Sequence, residues 1–343
     1  MSSLLKNVKK TYFWIIFLKY ILIPVYNIFW EYLLNIQGKL LYIFYKITKK
    51  KGVYEKLFIK KNDKIVIRSN EKIKDISNQI EKELNNNFLL EMENKLNQKS
   101  FPEGHYLHGK KAYVIDMFPF IEQSLQKKII NFALNSMNIS IVSNYLGVMP
   151  TISKINLNLN IPVQNTNERG PMLWHKDDFG FKSLDLFAPI GELGEDNGPF
   201  HYLKKKNDLG VFYKISNIKK NSSQGERNKI NLDVFEKLNE ETNVFKGESG
   251  DGIFIDSFRC YHRGGYCKKN KRIMLRIAYQ TPDSINMIGR ENNFSKIVNK
   301  NDFDIFSRFI LFKYPKIFEK FKLQNFLLKI YRLMHYKKEL SLN

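Results

Sequence analysis

A histidine and a carboxylate two residues apart, His175-Lys176-Asp177, are answered 85 positions beyond the aspartate by a single histidine, His262. In an extended segment residues i and i+2 project to the same side. His175 and Asp177 can therefore present a ring nitrogen and a carboxylate oxygen to one point, while Lys176 and Asp178 cannot. Bringing His262 to the same point requires strands that are distant in sequence but adjacent in space. Sheet-on-sheet topology such as a jelly roll meets that requirement.

Two histidines and one carboxylate are the donor set that holds a non-haem Fe(II) with open positions for oxygen chemistry. A histidine-x-carboxylate pair alone arises readily by chance, so the surroundings of His262 carry more weight. Gly250-Asp251-Gly252 reads as a turn that starts an apolar strand, Ile253-Phe254-Ile255, leading to His262-Arg263-Gly264-Gly265. A second strand follows, Arg272 to Tyr279, with Arg272 and Arg276 on one face. A dicarboxylate that chelates iron through a 2-oxo acid end needs a fixed cation for its far carboxylate. The planar fork of arginine suits that task best.

Together with Asn197-Gly198-Pro199-Phe200-His201-Tyr202 and the upstream stretch Tyr145-Leu146-Gly147 to Pro162, these motifs resemble the phytanoyl-CoA dioxygenase family of Fe(II)- and 2-oxoglutarate-dependent oxygenases. The resemblance covers roughly residues 101 to 285. It implies a double-stranded β-helix (a cupin-like jelly roll), iron held by His175, Asp177 and His262, and the distal carboxylate of 2-oxoglutarate held by Arg272, with Arg276 as the alternative clamp. O2 would be the second cosubstrate, and succinate and CO2 would be released. Family members that halogenate have a small residue where this chain has Asp177, which implies a hydroxylase. One departure is the run after Pro199, which continues into Leu203-Lys204-Lys205-Lys206-Asn207 instead of the family's Pro-Gly-Ser-His turn.

Each residue also has a plainer reading. His175 and Asp177 fit a surface loop, His262 a hydrogen-bonded core histidine, and either arginine a structural salt bridge. A metal-free jelly-roll binding protein is thus the alternative to an enzyme. Cys260 shares parity with His262, but free cysteine is a common small core residue, and two cysteines in 343 residues indicate neither a disulfide framework nor a zinc site. His105, His108 and His201 read as polar residues around the pocket rim rather than ligands.

The formal charge of +22 invites a nucleic-acid or membrane reading. Lysine outweighs arginine heavily in a chain also rich in asparagine and isoleucine, a pattern of coding bias, so a nucleic-acid-directed oxygenase has only net charge in its favour. Four of the ten arginines, Arg259, Arg263, Arg272 and Arg276, nevertheless fall in one short stretch, which suggests a specific use.

Composition divides the chain into a basic, aromatic N-terminal segment (1–62), a polar helical linker (63–100), the oxygenase jelly roll (101–290, with an insertion at 203–246) and basic amphipathic C-terminal helices (291–343). The linker reads as one helix from Ile73 to Leu96, and a second helix is expected over Ile121 to Leu134. Ile155-Asn156-Leu157-Asn158-Leu159-Asn160 alternates as a half-buried strand whose asparagines could face cavity or solvent. The apolar run from Tyr12 to Tyr26 contains Lys19, which costs about 2.5–3.5 kcal/mol in a spanning helix, and no cleavage site follows it. Three readings stand for it: a buried helix, an interfacial helix and a membrane anchor. Peripheral membrane contact through 12–47 and 303–342 is one expectation and packing of these helices on the sheet the other. The expected location is cytoplasmic, with the cytoplasmic face of a membrane as a variant. The substrate is expected to be a small molecule, lipid or glycan. Its identity and the oligomeric state are not written in the motifs.

Overall fold

The computed structural model describes residues 23–48, 64–98, 112–162, 172, 183–203, 242–257, 260–282 and 293–312. Two antiparallel sheets face each other. The larger has the order β1 (Lys64–Ile67), β7 (Gly252–Ile255), β4 (Ser183–Ile190), β9 (Arg272–Gln280), β3 (Thr151–Asn160), β2 (Val114–Asp116). The smaller has the order β6 (Thr242–Phe245), β5 (Phe200–Leu203), β8 (His262–Gly264). Sequence neighbours pass from one sheet to the other and back, giving the expected jelly roll with flanking helices.

Strand periodicity sorts the two faces of the larger sheet. Leu184, Leu186, Phe254, Leu275 and Ile277 point to a layer of helices and form the main core. Phe187, Ile253, Ile255 and Met274 point the other way and pack on Phe200, Tyr202 and Phe245 of the smaller sheet. Arg272, Met274 and Arg276 share that inner face, and register places Asn160, Asn158 and Asn156 directly beside them. The asparagine ladder thus faces the interior. Asn156 Nδ2 donates to Asp116, whose other oxygen accepts from Leu157 N at 3.0 Å.

Helices α1 (Ile23–Thr48), α2 (Glu71–Glu83), α3 (Asn86–Asn97), α4 (Gln123–Ala133), α5 (Ser136–Leu146) and α6 (Ile305–Phe312) flank this core. The second expected helix forms as α4. The single helix expected from Ile73 to Leu96 is instead two. Asn70 caps α2 by accepting from the Lys72 and Ile73 N–H groups, and Asn85 caps α3 by accepting from Phe88 N at 2.9 Å. An asparagine that captures the backbone in this way competes with continuing the helix, and a cap of this kind is worth about 1 kcal/mol.

The segment read as a linker contributes to the sheet and core. Ile73, Ile76 and Ile80 are buried along one stripe of α2, and β1 extends the sheet beside β7. Asp251 ties the end of β1 to the turn before β7, accepting from Ser69 N at 2.8 Å and Arg68 Nη1 at 2.6 Å. Burial works to raise this carboxyl, but the Ser69 N–H, Arg68 and the Glu248 N–H outweigh it and hold its pKa below the usual range.

The insertion is also shorter than its composition suggested. Leu203 closes β5, and β6 is a core strand whose Phe245 is buried against Phe200. Only two apolar residues, Val244 and Phe245, mark β6 in a lysine- and asparagine-rich run, too few to set a period. Residues 204–241 lie outside the described part, as do the apolar run up to Leu22 and the chain beyond Phe312. No described helix is long and apolar enough to cross a membrane.

Candidate active site

β8 sets His262 on the inner face of the smaller sheet, paired with Tyr202. The ring is 3% exposed and stacks on Phe200 with centroids 5.6 Å apart. Its Nδ1 lies 3.0 Å from the carbonyl oxygen of Cys260. A carbonyl only accepts, so Nδ1 carries the proton, and in the neutral ring Nε2 then presents its lone pair. A backbone carbonyl holding the second nitrogen is the usual support of a metal-binding histidine. Cys260 serves through this carbonyl, while its thiol is buried in the apolar cluster between the sheets.

Arg272 begins β9 on the same inner face. Its Nη1 donates to the carbonyls of Gly198 and Gly265, the latter at 3.2 Å. These carbonyls come from the two glycine motifs of the sequence, which touch backbone to backbone. Gly265 N donates to Pro199 O at 2.7 Å. Gly198 has φ +75°, and a Cβ there would stand 2.4 Å from Gly265 O. A Cβ on Gly264 would stand 2.9 Å from Arg272 Nη2. Only residues without side chains leave room for this socket.

The socket is not electrically complete. Among the described residues no carboxylate pairs with Arg272, and its Nε is buried with no hydrogen-bond partner. Burial presses the guanidinium's pKa down, opposed by Cys267 and by Tyr113. Arginine nonetheless stays charged in proteins, so this is a buried cation held by neutral groups. Tyr113 is 1% exposed and packs on Met172, which precedes His175 by three positions in the sequence.

Arg276, four residues on, is held differently. Its Nε donates to Asp185 Oδ2 at 2.9 Å, its Nη2 donates to the same oxygen, and the guanidinium lies over the Phe187 ring at 5.3 Å. Ser257 Oγ also reaches Asp185 Oδ2, at 3.2 Å. This is a structural ion pair on the inner face, with the Asp185 side chain 1% exposed.

The structure thus brings His262, Arg272 and Arg276 onto facing inner surfaces. His175 and Asp177 lie outside the described residues, as do His105 and His108. Among the described residues no cluster of three or more metal-binding side chains occurs. His201 sits on β5 opposite Arg263, with parity that turns it to the outer side of the smaller sheet. Burial first, then Arg263, lowers its pKa to about 4. Asp185 and Tyr113 were not legible as site neighbours, since each is a single polar residue in an apolar strand region. The paired glycine motifs were the available signal for the Arg272 socket.

No family model matches the chain, and no curated protein matches it in sequence. Among solved structures it is similar to the non-haem α-ketoglutarate-dependent carbocyclase SnoK of nogalamycin biosynthesis, at 12% identity and TM-score 0.43, over 73% of this chain and 92% of that one. It is also similar to EctD from S. alaskensis with 2-oxoglutarate and 5-hydroxyectoine, at 14% identity and TM-score 0.40, over 64% and 73% of the two chains. A third is EvdO2 from Micromonospora carbonacea var. aurantiaca complexed with 2-oxoglutarate, at 10% identity and TM-score 0.38, over 68% and 92%. Likeness at this level carries no statement about this chain's own substrate or reaction.

Proposed function

We propose that the chain is an Fe(II)- and 2-oxoglutarate-dependent dioxygenase that hydroxylates a small-molecule, lipid or glycan substrate, of the phytanoyl-CoA dioxygenase kind its motifs resemble. Arg272 carries the reading. A buried cation without a counter-ion costs several kcal/mol; Arg272 has none among the described residues, and a carboxylate entering beside it would supply both a charge and an acceptor for Nε. A dicarboxylate cosubstrate provides such a group at the end remote from the metal. His262 supports the other half, because its bond to Cys260 O orients Nε2 as a donor atom for a metal.

His175, Asp177 and His262 would hold the iron, and Arg272 the far carboxylate of 2-oxoglutarate. Arg276 is the weaker candidate for the clamp because Asp185 already neutralises it. When bound, iron and 2-oxoglutarate supply the oxidising chemistry, with succinate and CO2 as coproducts. The chain's own part is positional. Arg272 aims the cosubstrate, Cys260 O keeps the His262 tautomer, and Phe200 and Met274 form part of an apolar wall that limits water.

The test is a thermal shift under anaerobic conditions. Mn(II) and 2-oxoglutarate together are expected to raise the unfolding temperature more than either alone. Aerobically, Fe(II) should be required for succinate release, and His175→Ala should abolish it. Iron-dependent succinate release that survives His175→Ala would overturn the ligand assignment. A protein that responds to neither metal nor 2-oxoglutarate would be a jelly-roll binding module instead.

A further inference from the structure

Helix α1 has two apolar faces, and the jelly roll uses one. Gly38 packs against Pro282 and accepts a hydrogen bond from Met149 N at 3.0 Å, Tyr42 donates to Asn144, and Tyr45 meets Phe306 edge-on at 5.2 Å. The opposite face shows Ile36, Leu40, Ile43, Phe44 and Ile47 to solvent, with exposures from 37% to 77%. At the angular step of an α-helix these five fall within an arc of about 100°. A stripe this regular is costly to leave in water. Lys39 and Lys46, both exposed, border it on one side, and residues 36–48 contain no acid.

We propose that α1 lies along the surface of an anionic lipid membrane, with Ile36, Leu40, Ile43, Phe44 and Ile47 among the acyl chains and Lys39 and Lys46 at the phosphate level. Charge selects this occupant. A second copy packed antiparallel on the same face by two-fold symmetry would set the Lys39 and Lys46 edge against itself. The chain's own ends are like-charged too: residues 1–22 carry four lysines and no acid, and residues 313–343 carry eight basic and two acidic residues. With +22 overall, the complement is a negative surface. The face is apolar with lysines along one edge, as interfacial helices have.

The docking point of α1 is remote from the Arg272 socket. Met149 and Pro282 flank the end of the sheet where Thr151 pairs with Gln280, whereas Arg272 pairs with Asn160 at the other end, about 26 Å along β9. Membrane attachment therefore stands apart from the proposed chemistry, and either can fail without the other.

The test is cosedimentation of the full chain with vesicles of phosphatidylcholine alone and of phosphatidylcholine mixed with phosphatidylglycerol, over a salt series. Binding is expected to favour the mixed vesicles and to weaken as salt rises. Leu40→Ser with Ile47→Ser should lower partitioning by roughly tenfold or more, with an unchanged unfolding temperature because both positions are exposed, at 61% and 77%. Lys39→Glu with Lys46→Glu should remove the preference for phosphatidylglycerol. Failure of the wild-type chain to bind mixed vesicles overturns the proposal, as does undiminished binding by the serine variant. A wild-type dimer that the serine variant converts to monomer, without vesicle binding, assigns the face to a second copy.

Discussion

Arg272 and Arg276 stand four residues apart on the same face of β9, yet one is held by two peptide carbonyls and the other by a carboxylate. The difference follows from the sheet. β4 runs beside β9 as far as Ile190 opposite Ile273, so Arg276 has a neighbouring strand that can place Asp185 against it. At Arg272 that strand has ended, and the guanidinium meets the turn at Gly198 and the strand end at Gly264 and Gly265 instead. A buried arginine whose partner is built into the adjacent strand is complete in itself. One that is built only into a neutral socket has capacity left for an anion.

The comparison predicts different outcomes for removing the two side chains. Arg276→Ala leaves Asp185 buried without its counter-ion, and the expected loss of stability is about 3–5 kcal/mol, read from urea unfolding. Arg276→Met with Asp185→Leu should recover most of it, since replacing both charges with apolar groups removes the penalty. A loss below about 1 kcal/mol for Arg276→Ala would break the contrast from one side.

Arg272→Met should change stability less than Arg276→Ala, because it removes a buried charge that no carboxylate among the described residues pairs with and strands only the two carbonyls of Gly198 and Gly265. The effect falls on the cosubstrate: loss of charge-assisted hydrogen bonds worth about 2–3 kcal/mol raises the half-saturating 2-oxoglutarate concentration by roughly 30- to 160-fold. If Arg272→Met instead destabilises as strongly as Arg276→Ala and leaves the 2-oxoglutarate response intact, both arginines are structural. Gly264→Ala is the milder probe. Its Cβ displaces Arg272 Nη2 rather than deleting it, so a weakening of about tenfold is expected in the same titration.

Much of this frame was legible before any coordinates. Facing sheets were the expectation once His175, Asp177 and His262 were read as one donor set, and the turn at Gly250-Asp251-Gly252 announced β7. Arg272 and Arg276 could be put on one face because side-chain direction in a strand depends only on parity. What parity cannot report is which strand lies alongside, so the sequence left Arg276 standing as an alternative to Arg272 where the structure has an ion pair and a socket. Asn85 ended a helix that periodicity would have continued, because a cap is a single local hydrogen bond and leaves the apolar pattern intact. β6 was hidden for the opposite reason: four residues with two apolar side chains hold no measurable period.

The smallest expected effect tests the charge of Arg272 through a neighbour. His201 has its pKa lowered to about 4, chiefly by burial, then by Arg263, with Arg272 also contributing, whereas the Arg276 charge is paired with Asp185. A histidine whose pKa falls on folding favours the neutral ring in the folded state. Its contribution to stability is present above the unfolded value near 6.5 and is lost as pH falls from there toward 4. Partial solvent contact keeps the change modest, about 1–2 kcal/mol over that window. His201→Gln should flatten this part of the stability profile between pH 7 and pH 4. In Arg272→Met the His201 pKa, followed by NMR, should rise by a few tenths of a unit, whereas Arg276→Met with Asp185→Leu should leave it in place. Equal shifts in the two variants would mean that the Arg272 charge is neutralised as fully as that of Arg276, and the distinction between socket and ion pair would fall.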